Sequence, residues 1–305
     1  MRFLPLILVL ALPSLCLSQD NNWKAKLGYT DDDVLLILHG DDLGVNHAVN
    51  AASTDGLERG VLNSTSIMVP TPWFDEIAAY FIAHPDQDYG LHLTLTAEWN
   101  YYKWDGLTGQ ATTPGLHDAS GHLYPSVAEV VEHASAAEVE AELRAQIDRA
   151  LAAGLRPSHL DSHMGALYSH KDFFDVLVRL GAEYRIPVFL PVGRLQQAPY
   201  DLGGPHPVLV DAVYMNTELT DRAAVFAYYD ETLRNLQPGL NELIVHLGKD
   251  NDELRAAYVD HPYYGSAWRQ HDWEYLTSPH LRELLREQGI TLITWREIQG
   301  AVYGD

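Results

Sequence analysis

Five apolar, β-prone residues, Val34-Leu35-Leu36-Ile37-Leu38, run directly into His39-Gly40-Asp41-Asp42-Leu43-Gly44. An apolar run this short reads as a buried strand. Two adjacent carboxylates where such a strand stops resist ionisation beside each other unless a cation or a proton relieves the repulsion. Gly44 supplies a turn, and Asn46 to Arg59 has the length and apolar spacing of a helix. Strand, acidic pair and helix in that order put polar chemistry at the C-terminal end of a strand, where α/β folds keep their sites. For an isolated Asp pair, a turn and a helix cap would be the plainer reading. The rest of the chain reverses that preference.

Strand and helix go on alternating. Asn63 to Val69 is rich in β-formers and stops at Pro70-Thr71-Pro72, and Phe74 to His84 is helical. Tyr89 to Leu95 alternates, with Leu91, Leu93 and Leu95 on one face and Gly90, His92 and Thr94 on the other. From Ala97 to Pro125 the pattern breaks into a long loop holding Trp99, Tyr101, Tyr102 and Trp104, whose aromatic density suits a substrate-facing cover. Ser135-Ala136-Ala137-Glu138 is a capping box for a helix to Ala153. Ser158 to His163 forms a strand end, Lys171 to Tyr184 a helix, and Ile186 to Leu190 a strand. Pro191 to Asn216 is loop-rich. Asp221 to Leu236 is helical, Asn241 to Leu247 a strand, Ser278 to Gln288 a helix and Ile290 to Trp295 the closing strand. About seven such alternations with no linker or repeat predict one α/β domain, a barrel of about seven parallel strands.

Met1-Arg2, an apolar run from Phe3 to Leu17 and a polar Gln19-Asp20-Asn21-Asn22 continuation have the form of a secretory signal peptide over residues 1–18, with the domain at 19–305. The protein is therefore expected to be secreted or periplasmic, and the run is shorter than a membrane span. Cleavage after Ser18 removes Cys16, the only cysteine, so no disulfide supports the fold. It also removes Arg2, leaving 19 of the 20 basic residues against 42 acidic ones. That balance argues against nucleic acid and anionic membranes as partners. A neutral or amine-bearing substrate fits better, and seven Trp and seventeen Tyr suit sugar faces. A homodimer stays open.

Four strand ends carry polar residues that are expensive to bury: Asp41-Asp42, His92, Asp161 with His163, and His246. In a parallel sheet these ends converge on one face. One aspartate and two neutral imidazoles make a three-ligand set for a divalent cation. The spare carboxylate of the pair is then a candidate base and the spare histidine a candidate acid.

On these motifs the chain resembles the YdjC-like carbohydrate deacetylases, a family that includes chitooligosaccharide deacetylases. The resemblance lies in Asp41-Asp42-Leu43-Gly44, Gly60-Val61-Leu62-Asn63-Ser64-Thr65-Ser66 with Met68-Val69, Gly90-Leu91-His92-Leu93 and His159-Leu160-Asp161-Ser162-His163. It continues through Glu242-Leu243-Ile244-Val245-His246-Leu247-Gly248 and Trp268-Arg269 to Glu274-Tyr275-Leu276. It implies a distorted (β/α) barrel, one divalent metal ion (Zn or Mg) on Asp42, His92 and His163, and removal of an N-acetyl group from a sugar. The chain departs from the family pattern at His39-Gly40, Gly165 and Leu247, which changes pocket walls and removes no ligand.

Amide hydrolysis then assigns Asp41 as the base that takes a proton from water and His246 as the acid that protonates the leaving nitrogen. Asp161 orients a histidine, Arg269 contributes charge or a salt bridge, and Trp99 and Trp104 stack on substrate. His39, His47, His159 and His170 read as structural. The competing readings are a glycan-binding protein on the same fold and a metallohydrolase acting on other esters or phosphoesters.

Overall fold

The computed structural model describes residues 23–59, 62–195 and 207–304. The signal peptide expected over residues 1–18 lies outside the described residues. Strand β1 (Val34–Leu43) begins where the apolar run begins but continues five residues beyond it, carrying the acidic pair inside the strand. It is followed by β2 (Ser64–Ile67), β3 (Gly90–Leu93), β4 (Leu160–Ser162) and β5 (Val188–Pro191). Then come β6 (Pro207–Val210), β7 (Ala212–Met215), β8 (Gly239–Val245) and β9 (Thr291–Leu292).

Every strand pairing is parallel, in the order β6-β5-β4-β3-β2-β1-β8-β7, with β9 beside the start of β1. Only Asp211 separates β6 from β7. The first of these pairs with β5 and the second with β8, so one stretch of chain joins the two edges of the sheet. Counted together they are one stave, and with the short β9 the barrel has eight, nearly closed. Leu35, Leu36, Ile37 and Leu38 have no exposed surface at its centre. Truncating any of them to Ala would cost about 2–5 kcal/mol.

The helices pack outside, and their caps lie where the sequence places them. Asn46 caps His47–Glu58, Ser135 and Glu138 form the capping box of Ala136–Ala152, and Ser278 caps Pro279–Gln288. Two expectations need correction. The Pro191–Asn216 stretch contains β6 and β7, whose four-residue runs show no period of their own and are strands only because two distant edges flank them. The closing strand is reduced to Thr291–Leu292, because Thr294 and Glu297 form a second capping box that starts helix Trp295–Tyr303. Among the described residues no helix is long and apolar enough to cross a membrane.

Candidate metal and catalytic site

Neighbouring side chains of a regular strand point to opposite faces. In β1 the register against β2 shifts between Gly40 and Leu43, and Asp42 has a left-handed backbone, φ 69°. This bulge sends both Asp41 and Asp42 into one cavity, at a strand end where bulges re-aim side chains. Two strands away, His92 and Asp161 are register partners on β3 and β4. Gly90 at the start of β3 leaves room for the His159 ring, which a Cβ there would meet at 2.5 Å. His163 follows β4 directly, and the left-handed pair Met164 (φ 52°) and Gly165 (φ 66°) then turns the chain.

The structure brings Asp42, His92 and His163 together, all buried, with their ligand-type atoms within 4.8 Å of one another. Asp42 Oδ1 lies 3.5 Å from His92 Nε2 and 3.3 Å from His163 Nδ1, and it accepts no hydrogen bond. Donors on a tetrahedral ion with arms of about 2.0–2.1 Å sit roughly 3.4 Å apart, so these residues fit a divalent cation. The other ring nitrogens are committed. His92 Nδ1 is 2.7 Å from Asp161 Oδ1, and His163 Nε2 is 3.0 Å from Glu98 Oε2. With hydrogens on those atoms, the remaining nitrogen of each imidazole faces Asp42 Oδ1 and could offer its lone pair to an ion there.

The second oxygen of Asp42 accepts a 2.6 Å hydrogen bond from Arg269 Nη2, and Arg269 Nε donates to the Tyr264 carbonyl. Arg269 is buried over the Tyr258 ring, and Gly248 makes space for it, since a Cβ there would lie 2.9 Å from Arg269 Cβ. Burial pushes the Asp42 carboxyl up, but Arg269 and the histidines outweigh it and hold the group well below its ordinary range. Burial pulls His163 down, and Glu98 and Asp42 overcome that to push it up to about 10. His92 is raised in the same way, its burial outweighed by Asp161 and Asp41.

Asp41 is held on its other side. Its Oδ1 lies 3.0 Å from His39 Nε2 and accepts from Ser66 Oγ at 3.2 Å. Its Oδ2 faces His92 Nε2 at 3.8 Å and His246 Nε2 at 3.9 Å. Burial, helped by Arg269, brings His246 down to about 4, so that imidazole is neutral at ordinary pH. Its backbone N–H donates to Asp272, whose buried carboxyl is pushed up to about 7.

Sequence reasoning missed His39, which is not a remote structural histidine but lies between Asp41 and Asp161, and it missed Glu98, Glu242 and Asp272 altogether. The one available signal was Glu242, a lone carboxylate inside the apolar Leu240–Val245 run. Of the two tryptophans, Trp99 lines the cavity but stacks on Tyr258 at 4.0 Å and is only 3% exposed. Trp104 must be corrected. It is buried, donates from Nε1 to the Thr96 carbonyl and does not line the cavity. Much of the loop from Ala97 to Pro125 is pinned to helix Ala136–Ala152, with Glu142 accepting from Leu107 and Thr108. The aromatic side chain that lines the cavity and stands half-exposed is Tyr263. The cavity measures about 980 Å³ and also runs along Phe189, Val213 and Ile244.

A family model described as YdjC-like protein matches residues 35–287. The chain is 33% identical over 284 residues to a carbohydrate deacetylase of Thermus thermophilus, covering 88% of this chain and 95% of that protein. It is 27% identical over 272 residues to a carbohydrate deacetylase of Geobacillus stearothermophilus, covering 86% and 96%. A solved structure from Enterococcus faecalis superposes with a TM-score of 0.73 at 23% identity, over 87% of this chain and 99% of the other, a likeness of fold.

Proposed function

Because this chain belongs to the YdjC-like protein family, we propose that it is a metal-dependent carbohydrate deacetylase, a hydrolase that removes the acetyl group from an N-acetylated sugar. The observation that carries the reading is the convergence of Asp42, His92 and His163 on one point, with the Asp41 carboxylate and the His246 imidazole beside them.

A divalent cation on those three residues would supply Lewis acidity, polarising the acetyl carbonyl and making water a better nucleophile. Two imidazoles and one carboxylate, spaced as observed, favour zinc. Asp41 stays out of the ligand set and is the base that takes the proton from the attacking water. His246, held neutral by burial with its Nε2 3.9 Å from Asp41 Oδ2, can receive that proton through one bridging water and pass it to the departing nitrogen. Asp161 and Glu98 fix the ring orientations of His92 and His163. Arg269 keeps Asp42 ionised, and Tyr263 offers a ring face at the cavity mouth. An apolar leader at residues 1–18 supports action outside the cytoplasm.

The test is acetate release from N-acetylated chitooligosaccharides, with and without chelator. Release that the chelator abolishes and zinc restores is the expected result. Sugar binding without release would make the protein a glycan-binding module instead, and release from O-acetyl or phosphate esters alone would move it to another hydrolase class.

A further inference from the structure

His39 is fully buried, and its Nε2 sits between two carboxylates, 3.0 Å from Asp41 Oδ1 and 3.3 Å from Asp161 Oδ2. The same nitrogen is 3.2 Å from Ser66 Oγ, whose hydroxyl donates to Asp41 Oδ1. On the far side of the ring, Nδ1 faces Glu242 Oε1 across 3.6 Å, and Glu242 Oε2 accepts from Trp295 Nε1. Asp161 in turn fixes the ring of His92. One imidazole therefore touches both the base and the carboxylate behind a metal ligand.

We propose that His39 is a positioning residue for the deacetylation reaction, its Nε2–H holding Asp41 and Asp161 at their working separation. The proposal rests on the deacetylase reading for its kinetic consequence but not for its geometry. A bare Nε2 would turn a lone pair on two carboxylates and draw the Ser66 hydroxyl away from Asp41, so a hydrogen must sit there. Glu242 Oε1, 3.6 Å from Nδ1, is too far to hydrogen-bond it, and sets only the charge on that side of the ring: as a carboxylate it favours a hydrogen on Nδ1, as a neutral acid it leaves Nδ1 bare, and in both cases it is Asp41 and Asp161 that call for the hydrogen on Nε2. Without that hydrogen the two carboxylates repel, and Asp41 is free to rotate away from the water it must deprotonate. A displacement of about 1 Å in such a group costs on the order of 100-fold in rate.

The experiment compares His39→Asn and His39→Gln in the zinc-loaded full chain. A Gln amide reaches the place of Nε2, whereas an Asn amide stops near Nδ1. His39→Asn should lower kcat by about 10–100-fold in metal-saturated protein, with KM within about threefold of wild type. His39→Gln should recover kcat to within about fivefold. The ring ¹⁵N spectrum of the wild type, metal-free and zinc-loaded, should show His39 protonated at Nε2 throughout. Wild-type kcat in His39→Asn overturns the proposal. So does an equal loss in both variants that follows melting temperature and metal content. A bare Nε2 in the spectrum overturns it whatever the substrate, which keeps the answer available if His39→Asn does not fold. A wild type that releases no acetate from any acetylated sugar counts against the deacetylase reading, while the spectrum still decides the role of His39.

Discussion

Replacing Arg269 by Met isolates what the buried charge on Asp42 requires. Arg269 Nη2 and Asp42 Oδ2 are 2.6 Å apart and both residues are buried. Charge centres roughly 4 Å apart at an effective dielectric of about 20 attract by about 4 kcal/mol. Removing one member of such a pair costs about 3–5 kcal/mol, because the other stays buried and unpaired. For a chain of this size that is roughly 5–8 °C of melting temperature. The loss should be larger in metal-free protein, where only the imidazoles of His163 and His92 remain to face Asp42 Oδ1. A zinc ion held by Asp42, His92 and His163 would face the same charge, so the zinc-loaded variant should lose less, and the gap in melting temperature between zinc and chelator should widen. By linkage, the variant should bind zinc more tightly than the wild type.

The pH dependence has a definite sign. In the wild type, the depressed Asp42 pKa contributes stability that is present above the unfolded value near 4 and is lost as pH falls through the folded value. In Arg269→Met that contribution is absent, so the two metal-free proteins should converge as pH drops below about 4. Scanning calorimetry with zinc and with chelator, at neutral and acid pH, reads all of this. An equal loss in both metal states would refute the reasoning and leave Arg269 as packing for Tyr258 and the Tyr264 carbonyl.

Asp41→Asn should keep zinc binding and lose about 10²–10⁴-fold in kcat, because an amide cannot take the proton; zinc titration beside acetate release checks both halves. Tyr263→Ala should raise KM for an oligosaccharide with little change in melting temperature, whereas Trp99→Ala should lower melting temperature by breaking the stack on Tyr258. The reverse pattern would move the sugar platform to Trp99. Asp272 folds with its carboxyl pushed up to about 7, so its contribution is full below the unfolded value and is lost as pH rises through the folded one. Asp272→Asn should therefore gain on the wild type by about 1.4 kcal/mol per pH unit between about pH 4 and 7, measured as melting temperature against pH, and a flat difference would count against a protonated Asp272.

Local signals made part of this protein readable in advance. An apolar run, a Gly turn and an Asn cap marked β1 and its helix, and capping boxes fixed the start of helix Ala136–Ala152. Polar residues at apolar strand ends picked out Asp41, Asp42, His92, Asp161, His163 and His246, because a carboxylate or imidazole is expensive there without a partner. The unread parts depend on distant contacts. The β1 bulge shows only in pairing with β2, and β6 and β7 exist because β5 and β8 lie on either side. His39 carries no local mark of its role, since Asp161 and Glu242 reach it from other strands. Trp104 misled because an aromatic-rich loop looks the same in sequence whether it faces sugar or the barrel wall.

The same charges that build the site make it suited to a cation. Asp41, Asp42, Asp161 and Glu98 converge in a space where Arg269 is the only lysine or arginine among the described lining residues. One guanidinium cannot balance four carboxylates, so in metal-free protein the histidines between them are drawn toward their charged form. That is why His163 is pushed up to about 10 and His92 is raised despite complete burial. A divalent ion held by Asp42, His92 and His163 would need a lone pair from each ring, so its uptake would release the ring protons on that side. Metal affinity should therefore strengthen as pH rises. His246 stands outside that set: burial holds it down to about 4, and its Nε2 lies 3.9 Å from Asp41 Oδ2, the place from which the proposed acid would serve the leaving nitrogen.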